Sequence, residues 1–126
     1  MVSTTPDGET DLRQYIQNNW SYVALIDDIG DVVTRIDVEN DSRAEWDNTY
    51  ENNPIAAVMT IKGDDADIGA DEIGTEITLT ATQSRKTDTS SEILCKDSAT
   101  DALLASGENE VVIYHRIQYP TIENQE

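Results

Sequence analysis

Residues 22–38 read YVALIDDIGDVVTRIDV, and this stretch decides the class of fold. Two runs rich in β-branched residues, 22–27 and 32–38, flank a turn that contains Gly30. Such runs on either side of a glycine turn predict an antiparallel β-hairpin. The second run has the alternation of a half-buried strand, and one of its faces consists of Val32, Thr34, Ile36 and Val38.

The alternation continues in two longer runs that follow Pro54. Both IAAVMTIK (55–62) and TEITLTAT (75–82) repeat apolar residues at every second position, as strands with a buried face do. They are predicted to be strands of the same β-rich domain. In the second run the expected buried face consists of Ile77, Leu79 and Ala81.

The remaining strands are predicted from shorter or later runs. Short strands are expected at 43–46 and 91–96, and the polar residues 83–90 are predicted to form a loop. The run 110–119 ends before Pro120, which cannot donate to a strand ladder. Because its first half is apolar on both faces, this last strand is predicted to be central in its sheet.

One short amphipathic helix is predicted near the N-terminus. The segment DLRQYIQNN begins at Asp11, which can act as N-cap, with Gln14 three residues later as in a capping box. The expected apolar face consists of Leu12, Tyr15 and Ile16. A second segment, 98–107, predicts either a helix that starts at Ser98 and ends at Gly107, or a strand.

Together these elements predict a mainly β fold. We expect an antiparallel β-sandwich of the jelly-roll or Ig-like type, with one short N-terminal helix and the alternative second helix before the last strand. At 126 residues the chain is long enough for one core but not for two. The predicted organisation is a polar arm over 1–10, a single sandwich domain over 11–120 and a polar tail over 121–126.

The chain is strongly acidic. Twenty-six Asp and Glu residues against eight Lys and Arg give a formal net charge of -18. This charge repels phosphate backbones and anionic membrane surfaces, so neither nucleic acid nor a membrane is an expected partner. The acids are spread along the chain and Phe is absent, which is typical of proteins adapted to molar salt, where charges are screened over roughly 3 Å. An ordinary acidic protein is the alternative.

The most acidic stretch is GDDADIGADEIG, residues 63–74, which holds five carboxylates and no basic residue. Oxygens for a calcium ion could come from Asp65, Asp67, Asp71 and Glu72. The EF-hand spacing is not met, because Gly69 stands where a third ligand belongs. In so acidic a chain a solvated loop between strands is the favoured interpretation, and calcium binding is the alternative.

Candidate catalytic groups are few. The single cysteine, Cys95, cannot form an internal disulfide, and no Cys/His cluster indicates zinc. His115 is expected to be a buried structural imidazole bonded to a neighbour, and no motif supports a Cys95/His115 dyad. Two carboxylates at glycosidase spacing would arise by chance among so many acids. We therefore expect no catalytic residue and no cofactor.

Aromatic and arginine residues mark candidate interfaces, since Tyr, Trp and Arg are enriched at protein contact surfaces. The end of the chain offers Tyr114, Arg116 and Tyr119, and the polar segment in the middle of the chain offers Trp46 and Tyr50. Ordinary packing within the sandwich is the alternative for each of them.

Four stretches carry a resemblance to a known family: VALIDDIGDVVTRI (23–36), DSRAEW (41–46), DDADIG (64–69) after a long strand, and a last strand that ends in YP (119–120). In these the chain resembles the small β-rich structural proteins of haloarchaeal tailed viruses, over residues 20–120. The resemblance implies a non-enzymatic part of a capsid or tail, present in several copies and held by contacts with other virion proteins.

The expected function is therefore that of a multi-copy virion component, such as a capsid decoration, neck or tail part. Its expected partners are other virion proteins and further copies of itself, because symmetric multimers are the common form of such parts. The N-terminus lacks the basic and apolar regions of a secretory signal, so synthesis is expected in the host cytoplasm. Two alternatives are an acidic DNA mimic that binds a basic partner, and a small carboxylate-based hydrolase.

Overall fold

The computed structural model describes residues 5–47, 55–70, 76–98 and 100–117. They form a mainly β protein with antiparallel sheets and one N-terminal helix, as predicted. Within these ranges no helix combines the length and hydropathy that a membrane-crossing segment needs. The elements are α1 (Pro6–Asn19), β1 (Tyr22–Asp27), β2 (Val32–Asp37), β3 (Ala44–Asp47), β4 (Ile55–Lys62), β5 (Ile77–Arg85), β6 (Cys95–Asp97), β7 (Ala102–Leu104) and β8 (Glu110–Ile117).

The strands form two antiparallel sheets in a sandwich-like arrangement. The larger sheet has the order β2-β1-β5, and the far side of β5 pairs with β7 along its first half and with β6 along its second half. The smaller sheet has the order β3-β4-β8. Strands β1 and β2 pair as neighbours around Gly30, whose φ of 90° favours glycine, so the hairpin predicted for residues 22–38 is confirmed.

The core lies between the two sheets. Leu25 and Leu79 from the larger sheet pack in one cluster with Met59 and Ile61 from the smaller sheet, and all four are fully buried. Burial of side chains of this size contributes about 1.5–3 kcal/mol each. Their packing therefore fixes which face of each long strand points inward.

The helix α1 begins earlier than predicted. Thr5, not Asp11, is the N-cap: its Oγ1 accepts a hydrogen bond from the Gly8 backbone N–H at 3.2 Å. Pro6 occupies the first helical turn, where its missing N–H needs no partner. Residues 6–10, predicted as part of a polar arm, are therefore helical.

The helix buries a narrower face than predicted. Ile16 is its buried residue, and it packs against Ile55 and Ile117 at one end of the sandwich. Leu12 and Tyr15, which were expected on the same apolar face, are exposed.

Residues 98–107, for which both a helix and a strand were predicted, contain the strand β7. It pairs with β5 so that Leu104 lies opposite Ile77. Leu104 is buried in the core whereas its neighbour Leu103 is 53% exposed. This alternation is that of a strand, and the prediction of a second helix is wrong because pairing with β5 overrides the local capping pattern.

A β-bulge interrupts β5. Ile26 of β1 pairs with Ala81, but the next residue, Asp27, pairs with Leu79, so Thr80 is the extra residue. The Thr80 hydroxyl donates a hydrogen bond to the Asp27 carbonyl at 3.0 Å. A bulge of this kind shifts the inward positions of the following residues by one.

The structure of β5 differs from the prediction in two respects. Ala81, expected to face the core between the sheets, packs instead with Ala24 and Ile26 on the opposite face of the larger sheet. Thr82 and Ser84 take the inward positions and are fully buried. The strand also continues through the first part of the predicted loop 83–90.

The last strand is not central. Among the described residues β8 forms a ladder with β4 alone, and it is the outer strand of the smaller sheet. Val112 and Tyr114 are 53% and 40% exposed. Apolar residues on both faces predict a central strand, but in β8 those on the outer face remain partly exposed.

Candidate functional site

A cluster of polar side chains is buried between the two sheets. Thr82 and Ser84 reach it from β5, Cys95 from β6 and His115 from β8. Thr82 Oγ1 lies 2.6 Å from His115 Nδ1, and Ser84 Oγ lies 2.7 Å from His115 Nε2. Cys95 Sγ lies 3.2 Å from Ser84 Oγ and 3.5 Å from His115 Nε2. The cluster therefore links the larger sheet to the smaller one.

Burial controls the protonation of this cluster. It lowers the pKa of His115 to about 4, against the opposing effect of the Asp97 carboxylate. Burial also raises the pKa of the Cys95 thiol, although a hydrogen bond with Ser84 acts in the other direction. At neutral pH the pair is therefore a thiol and a neutral imidazole.

Cys95 and His115 lie close together, as in a catalytic dyad, but the thiol is not activated. Cysteine nucleophiles react as thiolates and are stabilised by a neighbouring cation. Here the imidazole is uncharged, and both His115 and Ser84 are fully buried. Both ring nitrogens have hydroxyl partners, as expected for a structural histidine. The expectation that His115 is bonded to neighbours is confirmed.

Cys95 is expected to react slowly with iodoacetamide. Its raised pKa should make alkylation of the folded protein at pH 8 at least about tenfold slower than that of the same chain unfolded in urea. Mass spectrometry of timed samples measures both rates. A folded rate equal to or above the unfolded rate would show an activated thiolate and contradict this description of the cluster.

Two carboxylates of the acidic loop, Asp65 and Asp67, are paired with a cation from another part of the chain. Arg43, which precedes β3, donates to both oxygens of Asp67, from Nη1 at 2.8 Å and from Nη2 at 2.9 Å. It binds Asp41 through Nε at 3.0 Å and Nη2 at 2.6 Å, and Asp65 through Nη1 at 3.2 Å. A guanidinium thus stands at the point on which Asp65 and Asp67 converge.

The pairing of Arg43 with these carboxylates is relevant to the alternative that the acidic loop binds calcium. In the residues that the structure describes, no group of three or more His, Cys, Asp or Glu side chains is placed to hold a metal ion. Asp71 and Glu72 lie outside those residues. Hydrogen bonds from Arg43 lower the pKa of both Asp41 and Asp67, so these carboxylates are charged and paired at neutral pH.

The loop is also more than a solvated connection. Ile68 and Ala70 are buried in the main core, and the Ala70 backbone N–H donates to the Gly63 carbonyl at 2.8 Å. A Cβ atom at Gly63 would lie 1.9 Å from the Ser106 carbonyl oxygen, so this position needs glycine. The interpretation as a solvated loop is therefore wrong for the residues that anchor it.

The five interface candidates lie in different places. Trp46 of β3 packs inward, against the core and beside the residues that contact α1. Tyr114 and Arg116 lie on the outer side of β8, with the Arg116 guanidinium 5.2 Å from the centre of the Tyr114 ring. Tyr50 and Tyr119 fall outside the described residues. Of the three candidates that the structure describes, two lie on the surface.

These two residues belong to a partly exposed sheet surface, which we call the β8 face, although Ala56 on the same side is buried. It is the outer side of the smaller sheet, and its centre is formed by Val58, Val112 and Tyr114. The charged residues around this centre have a summed charge of -1, in a chain whose net charge is -18. They are Glu45, Asp47, Lys62, Glu110 and Arg116.

Comparisons with protein family models, with curated proteins and with solved structures find no match to this chain. The inference of function therefore rests on the geometry of the molecule itself. Two features of that geometry were missed in the sequence. Arg43 is distant from the acidic loop along the chain, and the inward positions of Thr82 and Ser84 depend on the bulge at Thr80.

Proposed function

We propose that this chain is a non-enzymatic assembly protein that works through protein–protein contacts, most of all through the β8 face. The single observation that carries the proposal is the composition of that face. It combines an apolar and aromatic centre with a nearly balanced charge, on a protein that is otherwise strongly acidic. Interfaces in general deplete charge at their centre and enrich Tyr and Arg.

Electrostatics supports this choice of surface. Two copies of a chain with a charge of -18 repel each other unless they meet where charge is lowest or unless salt screens them. At molar salt the screening length is roughly 3 Å, so the remaining repulsion is short-ranged. The charged side chains of β3, β4 and β8 on the β8 face nearly balance, so they add little repulsion to such a contact.

Strand register suggests how two copies would meet. Arg116 pairs with Ala56, and Ala56 pairs with Asp47, so these three residues form one row across the smaller sheet. A two-fold axis that runs parallel to β4 would place Arg116 of each copy over Asp47 of the other copy. Such a self-complementary contact fits the homo-oligomer we propose.

The wider assignment is also part of the proposal. Resemblance to the structural proteins of haloarchaeal tailed viruses supports a multi-copy virion component with other virion proteins as partners, in a sandwich of the jelly-roll or Ig-like type. The buried, unactivated Cys95 and His115 support a role without catalysis. Mass spectrometry of purified particles tests the location, and absence from the particles would contradict it.

Substitution of Tyr114 by Asp is expected to weaken self-association in molar KCl by at least about tenfold, because it places a charge at the centre of the face. Sedimentation equilibrium measures the dissociation constant. The matched control is Ile29→Asp, which adds the same charge in the β1–β2 turn at a side chain that is 76% exposed. Equal association of the Tyr114→Asp variant and the wild type would refute the role of this face.

A further inference from the structure

A groove runs along the edge of β8 that forms no strand ladder within the described residues, between this strand and the residues that lead into β7. Its volume is about 220 Å³. Thr100, Asp101 and Ala102 line one side, and Val112, Tyr114 and Arg116 line the other. Here the larger and the smaller sheet lie side by side, and β7 pairs with β5 while β8 pairs with β4.

The register shows which backbone groups point into the groove. The Arg116 backbone N–H donates to Asp97 Oδ2 at 3.0 Å, away from β4. In an antiparallel strand the direction of the N–H alternates from residue to residue. Val112 and Tyr114, which have the same parity as Arg116, therefore also direct their N–H and C=O groups away from β4 and toward the groove.

Two further hydrogen bonds, made by residues outside β8, confirm that the even-numbered residues of β8 direct their backbone groups away from β4. The Thr60 backbone N–H donates to the Arg43 carbonyl at 2.9 Å, on the side of β3, and Thr60 is the partner of Val112. The Gly63 N–H donates to the Asn109 carbonyl at 2.9 Å, and Asn109 is an odd-numbered residue. The ladder between β4 and β8 thus uses the odd-numbered residues of β8.

A buried hydroxyl without a partner lies at the same groove. Thr100 Oγ1 is inaccessible to solvent and makes no hydrogen bond with any described residue. A buried hydroxyl that lacks a partner destabilises a protein by about 1–3 kcal/mol. Asp97 already shows how an added acceptor meets an N–H of the β8 edge, at Arg116.

We propose that this groove binds an extended peptide segment of a partner protein, which adds to β8 as a further antiparallel or parallel strand. The Val112 and Tyr114 backbone groups would pair with the segment. This is the mode of recognition known as β-strand addition. It deepens the proposed assembly function, on which it rests, by naming the kind of partner.

Charge selects the composition of the segment. Asp101 lines the groove, Asp97 closes one end of it, and Arg116 is already within 4.0 Å of Asp97. With a net charge of -18 on the whole chain, an acidic segment would be repelled. The partner segment is therefore neutral or basic, with apolar side chains at alternate positions to meet Val112 and Tyr114.

The probe is a capped peptide of alternating Val and Thr with Lys at both ends, and its matched counterpart has Glu at both ends. We expect the Lys peptide, in low-salt buffer where charges are not screened, to shift the amide NMR signals of Val112, Tyr114 and Thr100. The Glu peptide should bind at least about tenfold more weakly. Equal binding of the two peptides would overturn the charge assignment.

The backbone prediction is tested with Val112→Pro and its control Val112→Thr. Proline removes an N–H that the β4 ladder does not use, so the fold should persist, while peptide binding should fall at least about tenfold. Val112→Thr keeps the N–H and should bind as the wild type does. A peptide N-methylated at alternate residues should also lose binding to the unaltered protein. Full binding by Val112→Pro or by this peptide would overturn the proposal.

The outcomes separate this proposal from the assembly function. If no peptide binds while the Tyr114→Asp variant still weakens self-association, strand addition is wrong and the assembly function stands. If Val112→Pro abolishes self-association while Val112→Thr, which keeps the N–H, does not, the occupant is a second copy and the assignment to a different partner is wrong. If the protein neither associates nor binds a peptide, both proposals fail.

Discussion

Lowering the pH from 6.5 toward 4 is expected to reduce the free energy of unfolding by roughly 3 kcal/mol through one side chain, His115. Burial lowers the pKa of this imidazole from 6.5 to about 4. Between these values the unfolded chain binds a proton at residue 115 and the folded protein does not. The stability is therefore complete above pH 6.5 and is lost as the pH falls toward 4.

Urea unfolding at a series of pH values in molar KCl measures this effect, with His115→Gln as the matched variant. Glutamine keeps a donor and an acceptor for Thr82 and Ser84 but does not titrate. Because the chain has one histidine, the difference between the two pH profiles isolates its contribution. Parallel profiles between pH 6.5 and 4 would contradict the prediction, as would an NMR titration in which the folded imidazole protonates near pH 6.5.

Replacement of Arg43 by Met is expected to lower the free energy of unfolding by about 3 kcal/mol, because hydrogen bonds to charged groups contribute about 1.5–3 kcal/mol each and this change removes several. It leaves Asp41, Asp65 and Asp67 close together without their cation. The loss should be larger in dilute buffer than in molar KCl, where repulsion among the three carboxylates is screened.

The matched control is Arg116→Met. That guanidinium is about half exposed and reaches Asp97 at 4.0 Å, so its removal should change stability by less than about 1 kcal/mol. Equal stability of the two variants would contradict the role of Arg43.

The Arg43 guanidinium also sets the pH below which its ion pairs stop stabilising the fold. Its hydrogen bonds lower the pKa of Asp41 and Asp67, so the stabilisation that they give is complete above the ordinary carboxyl value of about 4 and is lost below it. This window lies below that of His115. The protein should therefore lose stability in two separable steps as the pH is lowered.

Local sequence patterns predicted much of the fold. The hairpin over residues 22–38 and the strand at 55–62 follow from alternation and turn residues, and both are confirmed. Thr5 and Pro6, a capping residue followed by proline, mark the start of α1, whereas the apolar spacing after Asp11 predicts a start six residues too late. That error shows that capping chemistry can locate a helix end better than its apolar face does.

Long-range pairing accounts for what the sequence did not reveal. The bulge at Thr80 depends on the register between β1 and β5, so the alternation of β5 alone could not show that Thr82 and Ser84 face His115. The cation of the acidic loop likewise comes from Arg43, more than 20 residues away along the chain. Both features arise only when strands that are distant in sequence come together.

Sedimentation equilibrium of the wild-type protein in molar KCl tests the proposed assembly function most directly. A contact through the β8 face predicts a mass of at least two copies of the 14.0 kDa chain at micromolar concentration, and a single copy after the buffer is diluted to low salt. A mass of one copy in molar KCl at every concentration up to solubility would contradict the account.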